Sequence, residues 1–209
     1  MKNFFILVVY LLATHIFSFA YAGKLTVTSG NNELKKENNY KKAYFAGGCF
    51  WCMEESFDKV EGVTSVISGY SGGHLKNPTY ADVVYTDSGH VEAVEVTYNS
   101  KFTTYQKLLD AYWKNIDPFD SQGQFCDKGK SYRSVAFYQN LEQKKIIENS
   151  IINIEKKFNK KKIVTLIWEF EIFYPAEDYH QNYYQNNFLR YLAYKSGCQR
   201  EEILNKIWN

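Results

Sequence analysis

The sequence has few of the residues that mark disordered or highly charged chains. Only 3 of its 209 residues are proline, whereas 18 are tyrosine and 15 are phenylalanine. A chain so rich in aromatic residues can bury a core, so the composition excludes an intrinsically disordered protein. The formal net charge is only +2, so no excess of basic residues favours nucleic acid as a partner. Cysteine is also scarce, with four in the chain, so the setting of each one is informative.

The N-terminal segment differs from the rest of the chain. Residues 1–22 contain one lysine near the start, then an apolar run, then the small-x-small sequence AYA that ends at Ala22. This pattern is typical of a secretory signal peptide that is cleaved after Ala22. An uncleaved membrane anchor is the alternative, which the polar residues inside the run disfavour. We therefore expect an exported protein, either periplasmic or secreted.

The residues after the signal peptide fall into two parts. Residues 23–40 are polar and lack hydrophobic periodicity, which predicts a flexible linker. Residues 41–209 contain no second linker, repeat or low-complexity tract, so we expect them to form one catalytic domain. In an oxidising compartment, four cysteines allow two disulfides in three pairings. A chain of this length does not need disulfides in order to fold, so a reactive role for cysteine stays open.

Hydrophobic periodicity predicts a mixture of strands and helices. Strands are predicted in KAYFAGG, GVTSVISGYSGG, HVEAVEVTYN, YRSVAFY and KIVTLIWEFEIFY. Helices are predicted in CFWCMEESFDKV, TTYQKLLDAYWKNID and NLEQKKIIENSIINIEKKF, with helical pieces in AEDYHQNYYQNN and REEILNKIW. This order lacks the regular alternation of a doubly wound sheet. We expect an α+β fold with a mixed or antiparallel sheet, packed helices, a ferredoxin-like core and a long coil-rich C-terminal tail.

Cys49 and Cys52 form a Cys-x-x-Cys motif directly after two glycines. The motif is compatible with a redox pair, half of a metal site, a structural disulfide, or one reactive thiol beside a bystander. A helix predicted to begin near Cys49 would favour its thiolate, which is the nucleophilic form. Phe50 and Trp51 can then form an apolar wall beside the sulfur, although all three residues can also be ordinary core. The sequence has no matching cysteine or histidine pair at zinc-finger spacing, which disfavours structural zinc.

The strand HVEAVEVTY carries two glutamates on opposite faces. Glu92 alternates with Val94, Val96 and Tyr98, so it is expected on the more apolar face. A carboxyl group in such surroundings tends to keep its proton, which suits a general acid. The alternative is that Glu92 lies at the start of the strand and reaches water. Glu95 has the other parity and is expected to be solvated.

Two further stretches contain clusters of polar residues. QFCDKGKSYRS places Cys126, Asp127 and Tyr132 in a loop that leads into a strand, where binding groups are common, although an ordinary turn uses the same residues. In AEDYHQ, Glu177 and His180 have the i, i+3 spacing of half a di-iron site. The second half of that motif is absent from the sequence, so no metal is expected there.

Six motifs together resemble those of the A-type peptide methionine sulfoxide reductases. They are GGCFW followed by glutamate, GYSGG, PTYADV, SGHVEAVEVTY, DKGKSYRS and FYPAEDYHQ. Each motif alone has modest specificity, but their order from Lys41 to Gln185 is highly specific. The resemblance implies reduction of the S-epimer of methionine sulfoxide, free or in oxidised proteins, to methionine. Such a reaction repairs proteins after oxidative stress.

The resemblance also assigns roles to residues of this sequence. Cys49 matches the nucleophile, and Glu92 matches the acid that protonates the sulfoxide oxygen. The remaining matches bind the substrate, with Phe50 and Trp51 beside its methyl group and Tyr80, Asp127 and Tyr132 around its oxygen. These groups meet the needs of the reaction, because a thiolate attacks sulfur, an acid protonates the leaving oxygen and an apolar wall holds the methyl group. No metal and no organic cofactor is required.

The oxidised enzyme then needs a second thiol. Attack leaves Cys49 as a sulfenic acid, which condenses with another cysteine to a disulfide that a thioredoxin-like protein reopens. Resolving cysteines of the family lie in the C-terminal tail, so Cys198 is expected to resolve Cys49, with Cys52 and Cys126 as alternatives. The chain departs from the family at Cys52, where glycine is frequent, and at Ser131, where glutamine is frequent. The tail also lacks the common Gly-Tyr-Cys ending.

Two other functions fit part of the sequence. A thiol–disulfide oxidoreductase would use Cys49 and Cys52 in a thioredoxin-like fold, but it leaves Glu92, Tyr80 and Tyr132 without a role. A secreted binding domain with two structural disulfides would contain no free thiol after folding. The expected partners are methionine sulfoxide and a thioredoxin-like reductant, without nucleic acid, and the expected state is a monomer.

Overall fold

The computed structural model describes residues 39–209. The signal peptide predicted for residues 1–22 and all but the end of the predicted linker lie outside the described residues. The first strand begins at Tyr40, so the last residue assigned to the linker already belongs to the folded domain. Among the described residues, no helix is both long enough and apolar enough to cross a membrane.

Strands and α-helices follow one another irregularly along residues 39–209. The strands are β1 (Tyr40–Gly47), β2 (Val63–Ser71), β3 (Val91–Asn99), β4 (Gly123–Gln124), β5 (Asp127–Lys128), β6 (Ser134–Tyr138), β7 (Leu166–Glu169) and β8 (Phe173–Pro175). The α-helices are α1 (Phe50–Asp58), α2 (Tyr80–Tyr85), α3 (Tyr105–Lys114), α4 (Leu141–Lys157), α5 (Tyr183–Asn186), α6 (Phe188–Gly197) and α7 (Arg200–Trp208). Short 3₁₀-helices cover Lys130–Tyr132 and Asp178–His180.

A six-stranded sheet organises the domain. Its strand order is β7-β6-β1-β3-β2-β8. All neighbouring strands are antiparallel except β6 and β7, which are parallel. The predicted α+β class with a mixed sheet and packed helices is therefore confirmed. The four strands β6-β1-β3-β2 are connected through α1 and α3 in the order βαββαβ. This order is that of a ferredoxin-like core, which stays a prediction.

Apolar clusters cover both faces of the sheet, as the alternation along β3 illustrates. Val94 and Val96 face the main core, which contains buried side chains of α1, α3 and α4. Val91 and Ala93 face a second cluster on the opposite side, together with residues of β1 and β6. Burial of an aliphatic or aromatic side chain contributes about 1.5–3 kcal/mol, so the two clusters hold the sheet rigidly behind the loops at its ends.

Glu95 is not solvated, contrary to the expectation from the sequence. It is only 7% exposed, and its carboxylate accepts hydrogen bonds from Lys42 Nζ at 2.7 Å and from the Tyr44 hydroxyl at 2.8 Å. This face is dry because the chain after β7 crosses it, with the Phe170 ring stacked on Tyr44 at 3.6 Å between centroids. Periodicity gave the correct parity of Glu95 but contained no information on what covers its face.

The C-terminal third of the chain departs from two expectations. The stretch KIVTLIWEFEIFY, predicted as one strand, forms β7 at one edge of the sheet and β8 at the other. The residues between them traverse the second face, where Phe170 and Phe173 pack. The tail that follows contains α5, α6 and α7 and is mostly helical, so the expectation of a coil-rich tail is wrong.

A side chain completes the edge of the sheet beside β8. Strand β8 pairs with only Gly69–Ser71 of β2. At Ser68, the Gln181 side-chain amide accepts from the backbone N–H at 3.0 Å and donates to the carbonyl oxygen at 2.9 Å. The Ala176 N–H donates to the same carbonyl at 2.9 Å. These bonds fix the start of the tail against the sheet.

Candidate active site

The site begins at the turn between β1 and α1. Gly48 has a φ of +77°, a left-handed conformation that favours glycine. A Cβ atom at this position would also lie only 2.5 Å from Cβ of Gln124. The turn makes Cys49 the N-cap residue of α1, which confirms the predicted helix start. Cys49 therefore lies beside backbone N–H groups that have no partner within the helix.

A cavity of about 70 Å³ opens beside Cys49. It is lined by Cys49, Phe50, Trp51, Tyr80, Glu92, Asp127, Tyr132 and Tyr194. All of the residues that the sequence assigned to catalysis and substrate binding are in this set, and Tyr194 is the addition. The volume is roughly twice the share of one water molecule in the liquid, so the cavity fits a small group of a few heavy atoms.

A larger groove of about 700 Å³ lies along β2 and the start of the tail. It contains Asp58, Val66 and Gln181 but none of the residues around Cys49. The groove is open and has no thiol in its lining, so size alone does not identify the reactive site. The small cavity is the candidate active site because it joins a nucleophile to acidic and aromatic groups.

Glu92 lies on β3 directly behind the start of α1. Its side chain is 3% exposed, and its Oε2 accepts a hydrogen bond from the Phe50 N–H at 3.0 Å. Burial raises the pKa of this carboxyl group to about 8, although the hydrogen bond from Phe50 opposes the shift. Glu92 therefore holds a proton at neutral pH in a cavity that it shares with Cys49.

Two phenols form the polar wall of the cavity. Tyr80 is the first residue of α2, and Tyr132 ends the 3₁₀-helix that precedes β6. Burial raises the pKa of both hydroxyl groups, and the two phenols also interact with each other. Both groups therefore keep their protons and can donate hydrogen bonds to an oxygen atom in the cavity.

Asp127 faces the cavity from the β4–β5 hairpin. Its Oδ2 accepts a hydrogen bond from the Tyr194 hydroxyl at 2.5 Å. Burial raises the pKa of the Asp127 carboxyl group, whereas the bond from Tyr194 and the charge of Arg200 lower it. The contact joins helix α6 of the tail to the cavity, because Tyr194 is a residue of that helix.

Aromatic rings form the apolar wall. The Trp51 indole stacks on Tyr183 with centroids 3.7 Å apart and planes 9° apart, and it meets Tyr194 edge-on at 5.9 Å. Phe50 lies behind it, with its centroid 4.9 Å from the His180 ring. The stacked rings hold the indole in one orientation, so the cavity presents a fixed apolar surface beside the sulfur.

Cys49 and Cys52 are both free thiols, and both are buried. Burial raises the pKa of the Cys49 thiol well above its usual value. The pKa of Cys52 is lowered to about 7, first because the Cys49 thiol hydrogen-bonds to it and then because Arg200 and Lys195 are close. The negative charge of the pair therefore favours Cys52 in the absence of substrate, whereas the sequence alone favoured Cys49.

The other two cysteines form a disulfide. Cys126 and Cys198 are bonded across 72 positions, with Cα atoms 4.9 Å apart. The structure therefore pairs Cys198 with Cys126 and not with Cys49, which was its expected partner. The bond fixes the end of α6 to the residue that precedes Asp127.

Glu177 and His180 have structural contacts near the site. Glu177 accepts hydrogen bonds from the Tyr80 N–H at 2.9 Å and from the Tyr70 hydroxyl at 2.8 Å, so both of its oxygens are used. These bonds position the start of α2 and therefore the phenol of Tyr80. His180 is 3% exposed and packs on Phe50, Trp51 and Tyr80.

Sequence reasoning missed the groups that the tail contributes. Tyr194 and Arg200 belong to the part of the chain that departs from the family pattern, so no motif pointed to them. Arg200 is 3% exposed, donates to the Asn115 carbonyl at 2.6 Å and lies over the Phe125 ring at 4.3 Å. A charged residue two positions after Cys198 was the available signal, but its burial requires the fold.

Comparison with known proteins agrees with this geometry. The family model described as peptide methionine sulfoxide reductase matches residues 41–209. The peptide methionine sulfoxide reductase MsrA 2 of Staphylococcus aureus is 46% identical over 167 residues, which cover 79% of this chain and 94% of that protein. The corresponding MsrA of Listeria monocytogenes is 45% identical over 174 residues, or 82% and 98% of the two chains.

Similarity extends to solved structures. The methionine sulfoxide reductase A of Corynebacterium diphtheriae superposes with a TM-score of 0.65 at 27% identity. The match covers 73% of this chain and 77% of that one. The two proteins therefore share the architecture described above.

Proposed function

This chain belongs to the peptide methionine sulfoxide reductase family, and we propose how its cavity reduces methionine sulfoxide. The enzyme converts methionine sulfoxide to methionine. We assign it to the S-epimer, in oxidised proteins and as the free amino acid. The observation that carries the mechanism is the cavity of about 70 Å³ in which a thiol, a protonated carboxyl group and an aromatic wall meet.

Cys49 is the nucleophile of the proposed reaction. Its sulfur attacks the sulfoxide sulfur, and the S–O bond of the substrate breaks as the oxygen passes to Cys49. Glu92 supplies the proton that this oxygen takes up, so the products are methionine and the Cys49 sulfenic acid. The buried location of Glu92 supports this role, because it keeps the carboxyl group protonated near neutral pH.

The other lining residues orient the sulfoxide group. Tyr80 and Tyr132 donate hydrogen bonds to the oxygen, and Asp127 holds the polar side of the cavity together with Tyr194. Phe50 and Trp51 hold the methyl group. Because the oxygen and the methyl group are held on different sides of the cavity, one configuration at the sulfoxide sulfur is favoured. This is the basis of the proposed epimer preference.

The proposed assignment is tested with the two separated epimers of methionine sulfoxide and dithiothreitol as the reductant. We expect methionine from the S-epimer. The rate should fall at least about 10³-fold in Cys49→Ser, because a hydroxyl is a poor nucleophile at neutral pH. Thermal unfolding of the variant provides the control that it is folded. Equal activity of the variant, or a preference for the R-epimer, would contradict the assignment.

We also propose that the protein is exported and that its physiological reductant is a thioredoxin-like protein. The signal-like pattern of residues 1–22 supports export, and N-terminal sequencing of the mature chain would test cleavage after Ala22. The exposed Cys126 of the disulfide supports reduction by a protein dithiol. Turnover with thioredoxin and its reductase would test that partner.

A further inference from the structure

Asp127 lies between the active-site cavity and the outer pair of cysteines. Its Oδ2 accepts the hydrogen bond from the Tyr194 hydroxyl beside the cavity. Its Oδ1 lies 3.8 Å from Cys126 Sγ, and Cys126 is bonded to Cys198. The candidate ligand atoms of Cys126, Asp127 and Cys198 all lie within 4.8 Å of one another. Two sulfurs and a carboxylate oxygen therefore converge beside the cavity.

Two contacts join the β4–β5 hairpin to the tail without the disulfide. The guanidinium of Arg200 lies 4.3 Å from the centre of the Phe125 ring in the hairpin loop. The Tyr194 hydroxyl of α6 donates to Asp127, the first residue of β5. These contacts flank the two cysteines in the sequence, so the sulfurs stay adjacent when the disulfide is reduced.

We propose that the reduced protein binds one Zn²⁺ ion through the Cys126 and Cys198 thiolates and Asp127 Oδ1. A reductant such as a dithiol supplies two electrons and two protons, which convert the disulfide to two thiols. Zinc then replaces the two thiol protons, since the thiolate is the form that binds metal. Sulfur ligands favour zinc over magnesium or calcium. The site goes beyond the proposed function, because it requires neither the sulfoxide nor attack by Cys49.

The separations of the ligand atoms suit zinc. Bonds of about 2.3 Å to sulfur and about 2.0–2.2 Å to oxygen, at tetrahedral angles, place a ligating sulfur and oxygen about 3.5–3.7 Å apart. The separation of Asp127 Oδ1 and Cys126 Sγ, 3.8 Å, is close to this value. Two ligating sulfurs lie about 3.8 Å apart in the same geometry. Rotation of the cysteine side chains about χ1 supplies that separation once the bond between them is broken.

The charges around the site are compatible with a divalent cation. Two thiolates and one carboxylate carry three negative charges, of which Zn²⁺ balances two. The guanidinium of Arg200 acts on Asp127 by its charge and balances the third. Lys128 also acts on Asp127, but its ammonium group is paired with Asp120. The zinc-bound site is therefore close to neutral.

Exposure gives the ion access to the site from solvent. Cys126 is exposed, whereas Cys198 is buried. A tetrahedral zinc ion with three protein ligands takes water as its fourth. The ion and the disulfide compete for the same two sulfurs, so reduction loads the site and oxidation releases the metal. Zinc occupancy therefore follows the redox state of this cysteine pair.

Zinc binding is measured by titration against a chromophoric chelator under argon. Wild type is first reduced with a phosphine, which is then removed. We expect the reduced protein to withdraw one equivalent of zinc from the chelator, and the disulfide-bonded protein to withdraw none. Equal binding by the two forms, or no binding by the reduced form, would overturn the proposal.

Cysteine variants locate the ion. Cys126→Ser/Cys198→Ser should lose the binding, whereas Cys49→Ser/Cys52→Ser should keep it. Thermal unfolding shows whether each variant is folded. The opposite pattern would assign the zinc to the buried thiols of α1 and would overturn the proposed site.

An aspartate variant tests the third ligand and keeps all four cysteines. Asp127→Asn should weaken zinc binding at least about 10-fold, because an amide oxygen is a poorer zinc ligand than a carboxylate. Asp120→Asn is the matched control and should bind as wild type does, since Asp120 bonds to Lys128 near the same hairpin. An Asp127→Asn protein with the wild-type affinity would leave a simple dithiol and overturn the three-ligand site.

Release of the metal tests the competition with the disulfide. The zinc-loaded Cys49→Ser/Cys52→Ser protein is treated with diamide, which takes two electrons and two protons from a pair of thiols. We expect one zinc ion to be released for each Cys126–Cys198 disulfide found by mass spectrometry. Zinc that stays bound after the disulfide has formed would show that the sulfurs are not its ligands.

Discussion

Glu92 and Glu95 lie three positions apart on β3, and their neighbours give the two carboxyl groups different chemistry. Glu95 faces the second apolar cluster and has Lys42 and Tyr44 as partners, so its negative charge is compensated. Glu92 faces the cavity, and its described hydrogen bond comes from the Phe50 N–H. A buried carboxyl group without a cation beside it keeps its proton. Glu92 is therefore an acid, whereas Glu95 on the same strand belongs to a structural ion pair.

The proton on Glu92 leads to a prediction for Glu92→Gln. Glutamine can still accept from Phe50 but cannot protonate the sulfoxide oxygen, so the single-turnover rate should fall by about 10²–10⁴-fold. Ionisation of the Cys49 thiol affects wild type and variant alike, so it cancels in the ratio of the wild-type rate to the variant rate. Because the pKa of Glu92 is about 8, this ratio should be constant below pH 7 and fall above pH 8 as wild type loses the proton.

Rapid-quench measurement of methionine formation from pH 6 to 10 checks this prediction. A thermal unfolding curve of the variant is the control for folding. A rate ratio near one, or a ratio that does not change with pH, would remove Glu92 as the acid.

At the residue scale, the sequence predicted most of the candidate site. Motif order located Cys49 and Glu92 correctly in one cavity, although they are 43 positions apart. Tyr194 was missed because the tail departs from the family pattern. The partner of Cys198 was also not predictable, since disulfide connectivity depends on which segments the fold brings together.

Helix α1 connects the catalytic turn to the tail through two adjacent glutamates. Glu54 is fully buried, and its carboxyl oxygens accept from the Asn182 N–H at 2.9 Å and from the Ser68 hydroxyl at 3.3 Å. Glu55 accepts from the Tyr191 hydroxyl at 2.5 Å and from Lys195 Nζ at 2.9 Å. One face of the helix therefore holds the residues before α5, and the neighbouring face holds α6.

Glu54→Gln should change the pH dependence of stability. Burial raises the pKa of Glu54 to about 7, so the folded protein keeps a proton that the unfolded chain releases near pH 4.5. Wild type therefore loses stability as pH rises from 5 to 8, whereas the neutral amide does not. The variant should gain on wild type across this range by at most about 3 kcal/mol.

Urea unfolding at several pH values measures this difference, with Glu55→Gln as the matched control. The pKa of Glu55 is lowered to about 2, because Lys59, Tyr191 and Lys195 bond to its carboxylate despite its burial. Its contribution is present above pH 4.5 and is lost as pH falls towards 2, so the control should show no trend between pH 5 and 8. A flat difference for Glu54→Gln would contradict the prediction.

At the element scale, periodicity located strands β1, β2, β3 and β6 and helices α1, α3 and α4, but not the short elements α2, β4 and β5. It failed after α4, where β7 and β8 read as one apolar run. Nothing in that run marks the crossing of the second face between Glu169 and Phe173, because an apolar residue can serve either a strand or a covering segment. In the tail, α7 coincides with the predicted helical piece REEILNKIW and α5 lies within AEDYHQNYYQNN, whereas α6 was not predicted.

The disulfide between Cys126 and Cys198 affects the whole molecule. It closes a loop of 72 positions that contains β6, α4, β7, β8 and most of the tail. Such a link reduces the conformational freedom of the unfolded chain, which stabilises the folded state by about 4 kcal/mol in the chain-entropy estimate.

Reduction of this bond should therefore lower the free energy of unfolding by up to about 4 kcal/mol. Urea unfolding with and without dithiothreitol measures the change. The Cys126→Ser/Cys198→Ser protein is the control and should respond to the reductant by much less. Equal stability of the reduced and oxidised wild-type protein would show that the loop is already restricted in the unfolded state.

Gln181 has a consequence for the edge of the sheet at β2. An open strand edge is a template on which a second chain can add a strand, and this is a common start of aggregation. The Gln181 amide occupies both backbone bonding groups of Ser68, and β8 occupies those of the next residues. The stretch of β2 left beyond them, residues 63–67, is short for intermolecular pairing. The residue that attaches the tail to the sheet therefore also shortens the open edge of β2.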